Sequence, residues 1–289
     1  MRRYAALAAL LLLTACSPSG CTQTAATPEK GGAVGPGVSP GGDTPPPGTD
    51  ADAPPSPGGE IPPATEPTPD PTPAPASWPH DPGGALVPGS GGGATDITLW
   101  APGMRFPMEA GPAYANSQVY GYGGFAAPGP GGQCDARNYA YPWHDNFCET
   151  RSWTNGMCPS GHGHQGQDIR PATCVKKVHW IVAPEAGEVT SIGSYTVTLL
   201  GDSGRIYRFL HMDMAGVHAL FPASASRHVA RGQRLGQVSS DFGGSATTIH
   251  MHFEIKAPVA LGGAPASVQF VPVYSSLVDS YGRLLNGAP

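Results

Sequence analysis

Ile249-His250-Met251-His252-Phe253-Glu254-Ile255 is the stretch on which the reading of the fold turns. Ile249, Met251, Phe253 and Ile255 alternate with His250, His252 and Glu254, the period-2 pattern of a half-buried strand. Successive strand side chains point to opposite faces, so the apolar set can enter a core while both imidazoles share the other face. Two imidazoles that close can share a metal ion, or divide metal binding from proton transfer. The alternative is a pair of solvated histidines on an exposed sheet face. Partners elsewhere in the chain decide between these readings.

Outward from this strand, short apolar-polar runs broken by Gly and Pro dominate: residues 179–183, 187–192, 195–200, 205–212, 234–238 and 249–256. Gly201-Asp202-Ser203-Gly204 reads as the turn of a hairpin joining 195–200 to 205–212. No long segment holds a helical period. The expected fold is therefore all-β, an antiparallel sheet domain with long loops.

The best partner for the histidine pair lies in Gly163-His164-Gln165-Gly166-Gln167-Asp168. A histidine and a carboxylate four residues apart, with a glycine between them, can bend around one cation. Neutral imidazole nitrogen and carboxylate oxygen both suit zinc, and three protein ligands leave a fourth position open for water. His164, Asp168 and His252 make such a set. His162, in Gly161-His162-Gly163-His164, rivals His164, but the spacing to Asp168 favours His164. His211 closes the run 205–212 and, by alternation, would share a face with Phe209 and Tyr207. Taken alone it reads as a structural histidine at a strand end.

In chain order, His164-Gln165-Gly166-Gln167-Asp168, Phe209-Leu210-His211 and His250-Met251-His252-Phe253-Glu254 together resemble the lysostaphin-type (LytM-like) zinc metallopeptidases. Val182-Ala183-Pro184-Glu185-Ala186-Gly187-Glu188-Val189 and Val229-Ala230-Arg231-Gly232-Gln233-Arg234-Leu235-Gly236 match as well, and the resemblance covers residues 115–256. It implies one zinc ion held by His164, Asp168 and His252, with His250 and His211 assisting catalysis. It also implies a zinc-dependent endopeptidase that cuts peptide stems or cross-links of bacterial peptidoglycan through an activated water. Some relatives cleave Gly-rich proteins, and others have lost the metal and regulate other wall hydrolases. This chain retains all three ligands and both assistants. Phe209 stands where tyrosine is usual, and Glu254 is expected to support a neighbouring histidine.

The ends and composition set the context. Met1-Arg2-Arg3 followed by an apolar run over 4–15 reads as a signal peptide, too short to span a bilayer. Leu13-Thr14-Ala15-Cys16 resembles a bacterial lipobox, so Cys16 is the expected lipid attachment site, making the protein an exported lipoprotein of the cell envelope whose only contact with the membrane is its anchor. Ser17, in place of aspartate, points to the outer membrane, facing the periplasm, in a cell that has one. The expected domains are a signal peptide at 1–15, a disordered linker at 16–95 and a metallopeptidase domain at 96–289. Residues 1–95 hold 20 of the 34 prolines, and residues 17–95 have almost no aromatic or large aliphatic side chains, too few to offset the entropy of ordering. A coil of that length spans on the order of 50 Å. Residues 17–95 carry eight acidic side chains against one lysine, whereas 96–289 balance 13 acidic with 13 basic. No basic patch argues for nucleic acid, and a monomer is expected.

Cys134, Cys148, Cys158 and Cys174 fall in the folded part of an exported chain, so two disulfides are expected, with three pairings open. No Cys-x-x-Cys knuckle favours a second, structural zinc. Tyr114, Tyr120, Tyr122, Tyr139, Tyr141 and Trp143 are expected to pack the Gly-rich segment, the alternative being the wall of a substrate groove. His80, His144, His179, His218 and His228 read as linker, surface or local hydrogen-bonding residues.

Overall fold

The computed structural model describes residues 77–116, 124 and 132–289. Of the two units into which the chain divides, Met1–Pro67 lies wholly outside these residues, and all of them belong to Thr68–Pro289. The expected signal peptide, the lipid attachment at Cys16, Tyr120 and Tyr122 also lie outside the described residues.

Among the described residues, eleven strands and two α-helices follow in order: β1 (Tyr114–Ala115), β2 (Gln167–Arg170), β3 (Trp180–Val182), β4 (Gly187–Ile192), β5 (Thr196–Gly201), β6 (Ile206–Leu210), α1 (Met214–Leu220), β7 (His228–Val229), β8 (Arg234–Gln237), β9 (Ser239–Phe242), β10 (Ser245–Val259), β11 (Ser267–Val271) and α2 (Tyr274–Leu285). The main sheet runs β1-β2-β10-β6-β5-β4-β7, with β9 and β11 also paired to β10, and β3 pairs with β8 separately. Every one of these strand pairings is antiparallel. The all-β expectation holds.

The alternation of β10 sets the core. Ile249, Met251, Phe253 and Ile255 are buried with Ile169 of β2, Tyr207 and Phe209 of β6, and Val197 and Leu199 of β5. Each such side chain withdrawn from water contributes about 1.5–3 kcal/mol. The other face differs from the half-buried strand expected: His250, His252 and Glu254 are buried too. That face is covered because its polar groups satisfy one another instead of water. Phe209 packs its ring on Phe253 at 5.5 Å, so a hydroxyl there would be aimed into the core.

Two parts of the sequence reading change. The folded part begins well before Asp96: Trp78 packs edge-on against Trp143 (4.2 Å) and Tyr281 (4.9 Å), and the Gly84 amide donates to the buried carboxylate of Asp145. His80 bridges to Trp143 rather than sitting in a linker. A segment poor in large apolar groups is held by one indole and by backbone hydrogen bonds. The second change is α2, a 12-residue helix where no helical period was expected. Tyr274, Leu277 and Tyr281 bury one face at helical spacing, but Ser276 and Ser280 share that face and dilute the apolar signal. Ser276 is there because its hydroxyl accepts the Ala101 amide, and the Tyr281 hydroxyl likewise accepts Ala113 N–H. Tyr114, Tyr139, Tyr141 and Trp143 pack among one another and against Trp78 and Tyr281, in accord with the packing reading. Among the described residues no helix is long and apolar enough to cross a membrane.

Both expected disulfides are present: Cys134 pairs with Cys174, and Cys148 with Cys158.

Candidate metal centre

Register brings the site together. Asp168 on β2 lies directly opposite His252 on β10, so both side chains leave the same face. Asp168 Oδ1 sits 3.1 Å from His252 Nδ1 and 3.4 Å from His164 Nε2. One ligand atom from each of His164, Asp168 and His252 falls within 4.8 Å of the others, and all three residues are buried. His162 is exposed, which removes it as a rival to His164.

The glycine between the ligands is required by space. A Cβ on Gly166 would stand 2.2 Å from the Phe253 carbonyl and 2.9 Å from His252 Nε2, so no larger residue lets this turn lie so close to β10.

The outer nitrogens fix which lone pairs face inward. His164 Nδ1 lies 3.0 Å from the carbonyl of Asn146, an acceptor only, so Nδ1 carries the proton and Nε2 is left free. His252 Nε2 meets Glu254 Oε1 at 2.9 Å, leaving Nδ1 toward Asp168. Glu254 therefore supports a neighbouring histidine, His252, and is itself held by Arg208, its cross-strand partner on β6. Such carboxylate and carbonyl partners orient metal-ligating imidazoles and raise their basicity. The donor set, two imidazoles and a carboxylate with lone pairs converging, fits a zinc ion.

The electrostatics agree with a site built for a cation. Burial pushes the Asp168 pKa up, but the adjacent His250 and His164 outweigh it and hold the carboxyl well below its ordinary value. Burial lowers the His164 pKa against the pull of Asp168. In His252 burial is overcome by hydrogen bonds to Asp168 and Glu254, and its pKa rises to about 9.

His211 and His250 complete the group. Their rings lie 4.7 Å apart, and His250 Nε2 is 3.4 Å from Asp168 Oδ1. His211 does not share a face with Phe209 and Tyr207. Its φ of 67° breaks the alternation just past the end of β6 and turns the ring to the opposite side, toward His250. A left-handed conformation is costly for a residue with a Cβ, and such strain gathers at functional positions. Its Nδ1 donates to the Asp241 carbonyl at 2.9 Å, and burial, aided by the charge of His250, lowers its pKa to about 3. His250 Nδ1 lies 2.9 Å from the Thr248 carbonyl. Both imidazoles thus keep Nε2 for the cavity.

Arg208, Asn146, Asp241, Thr248, Arg151, Trp153 and Phe242 were not singled out from sequence. Only Arg208 left a signal there: once the strands are aligned, it stands opposite Glu254. Phe242 reaches the site from the end of β9, and the others from loops or through backbone carbonyls, which residue type does not announce.

Fold and side chains together define an antiparallel β protein with a buried His/Asp/His cluster able to hold a metal ion, and with two further imidazoles beside it. No family model matches the chain, and no curated protein matches it. Solved structures to which it is similar include a candidate glycyl-glycine endopeptidase LytM from Ruminococcus gnavus, at 20% identity over 43% of this chain and 47% of that one, with a TM-score of 0.32. A candidate peptidase M23 from Pseudomonas aeruginosa matches at 28% identity over 39% and 43%, with a TM-score of 0.27. The catalytic domain of lysostaphin from Staphylococcus simulans matches at 16% identity over 43% and 89%, also with a TM-score of 0.27. The match thus spans less than half the length of the first two.

Proposed function

We propose that this chain is a LytM-like zinc endopeptidase acting on the peptide stems or cross-links of bacterial peptidoglycan. The observation that carries the chemistry is the convergence of His164 Nε2, Asp168 Oδ1 and His252 Nδ1, with the outer nitrogen of each imidazole already committed to an acceptor. A zinc ion bound there acts as a Lewis acid and lowers the pKa of a coordinated water toward about 7.

The remaining work belongs to the side chains. Peptide hydrolysis needs a group to accept a proton from the attacking water and a group to return one to the leaving amine. His211 and His250 stand side by side, each anchored through Nδ1 to a backbone carbonyl, so that each turns Nε2 toward the cavity. His211, neutral at working pH, is an acceptor from the outset. The fixed rings need no reorganisation as the proton moves.

The wall substrate rests on the motif resemblance and on the lipobox-like sequence ending at Cys16, which would tether the enzyme in the cell envelope on a long proline-rich arm. The test is metal analysis paired with variants. Purified protein should hold one zinc, His252→Ala should lose both zinc and activity, and His250→Ala should keep zinc while losing activity. An unmutated protein that binds no zinc would instead fit a regulator of other hydrolases.

A further inference from the structure

Two exposed aromatic rings and one guanidinium beside the metal centre take no part in the chemistry above. A cavity of about 320 Å³ opens on the His/Asp/His cluster, His211 and His250, and is also lined by Arg151, Trp153, Phe242, Thr247 and Thr248. Trp153 is 46% exposed and Phe242 43%, unusual for rings of this size, and both also line an adjoining cavity of about 250 Å³. Together the cavities form a trough across the metal site, with Trp153 among its lining on both sides.

Arg151 and Trp153 belong to the loop closed by the Cys148–Cys158 disulfide. That loop is laced to the segment carrying the first ligand. Cys148 N donates to His164 O (3.0 Å), His164 N to Glu149 O (2.9 Å), Asn155 Nδ2 to His164 O (3.1 Å), and Gly163 N to Trp153 O (2.9 Å). The loop is therefore held in fixed register with the metal site.

The Arg151 guanidinium is held before any ligand arrives. Nη1 donates to the Thr150 carbonyl at 2.8 Å, and Nη2 lies 3.3 Å from Glu149 Oε2, a carboxylate buried behind it. Its side chain is 19% exposed. These two contacts use two of its five N–H donors. The carboxylates of the site, Asp168 and Glu254, are buried and paired with histidines. The charge offered to the cavity on the loop side is thus cationic, in the planar fork that suits a carboxylate.

We propose that the disulfide-closed loop is the substrate-recognition element of the site: Arg151 binds a carboxylate that the peptide carries near its scissile bond, and the peptide lies along Trp153. The proposal rests on the peptidase reading above. It names the substrate class as a stem peptide whose acidic residue is free rather than amidated.

The test uses two synthetic cross-linked stem peptides that differ only in whether that carboxyl is free or a carboxamide. They are cleaved by the zinc-loaded full chain and by its Arg151→Gln and Arg151→Lys variants. A charge-assisted pair predicts that the unmutated protein prefers the free carboxylate by about tenfold or more in kcat/KM, chiefly through KM. The preference should fall to about one in Arg151→Gln and return in part in Arg151→Lys. Trp153→Ala should raise KM for both peptides while leaving zinc content intact. A preference near one in the unmutated protein overturns the proposal. So does an unchanged preference in Arg151→Gln accompanied only by a lower Tm, which would make Arg151 the counter-ion of Glu149 and nothing more. Cleavage of neither peptide, nor of whole peptidoglycan, overturns the peptidase reading itself, so the two failures are distinct.

Discussion

His252 touches both carboxylates of the site, and its proton ties metal binding to pH. With its pKa raised to about 9, the imidazole of the metal-free protein is charged at neutral pH. A metal at Nδ1 must displace that proton. Zinc affinity should therefore climb about tenfold per pH unit between roughly 7 and 9 and level off above. Chelator competition across that range measures it, and affinity independent of pH below 9 would contradict the assignment. The same raised pKa stabilises the metal-free fold below about 6.5, and that contribution is lost as pH rises through 9. Gly166 offers a second check: because an added Cβ would meet the Phe253 carbonyl at 2.2 Å, Gly166→Ala should separate the two ligand segments and abolish zinc binding. Much of this site was legible in sequence, because the four-residue spacing of His164 and Asp168 suits one cation and the motif resemblance joins His252 to them. The position of His211 was not. Alternation sends it to the core face, and only its φ of 67° returns it to the site.

Between residues and the whole lie the elements that hold them. Six of the strands were readable as short apolar-polar runs broken by Gly and Pro: β4 (Gly187–Ile192) stands where the sequence reading places it and β6 and β8 depart only at their ends, whereas β1, β2, β7, β9 and β11 were not among the runs read. Helix α2 was not, since serines on its buried face act as hydrogen-bond partners for loops that the sequence does not locate. Tyr281→Phe tests that role. It removes the acceptor for Ala113 N–H and the 2.7 Å contact with the Tyr141 hydroxyl, at an expected loss of about 1–2 kcal/mol by denaturant titration. The Cys148–Cys158 loop can be tested in the same way. Replacing both cysteines by serine should destabilise the protein by about 3 kcal/mol from loop entropy. Because the loop is bonded to His164, the replacement should also weaken zinc binding, whereas an unchanged zinc affinity would show that the loop does not position that ligand.

At the scale of the molecule, the sequence placed the start of the domain too late. Composition marks residues 77–95 as linker, yet Trp78 covers the Trp143–Tyr281 pair and the Gly84 amide meets Asp145. A chain starting at residue 96 should therefore melt several degrees below one starting at residue 77, and equal melting temperatures would return the segment to the linker. Everything else, the sheet, the stapled loop and the three ligands, converges on one trough. The central claim is that this trough hydrolyses wall peptides with zinc. Mass spectrometry of muropeptides after incubation of cross-linked peptidoglycan with the zinc-loaded full chain tests it most directly. New fragments cut at a peptide bond are expected, absent with His252→Ala and after chelation. Intact muropeptides, under conditions in which an authentic wall peptidase digests its own substrate, would contradict it.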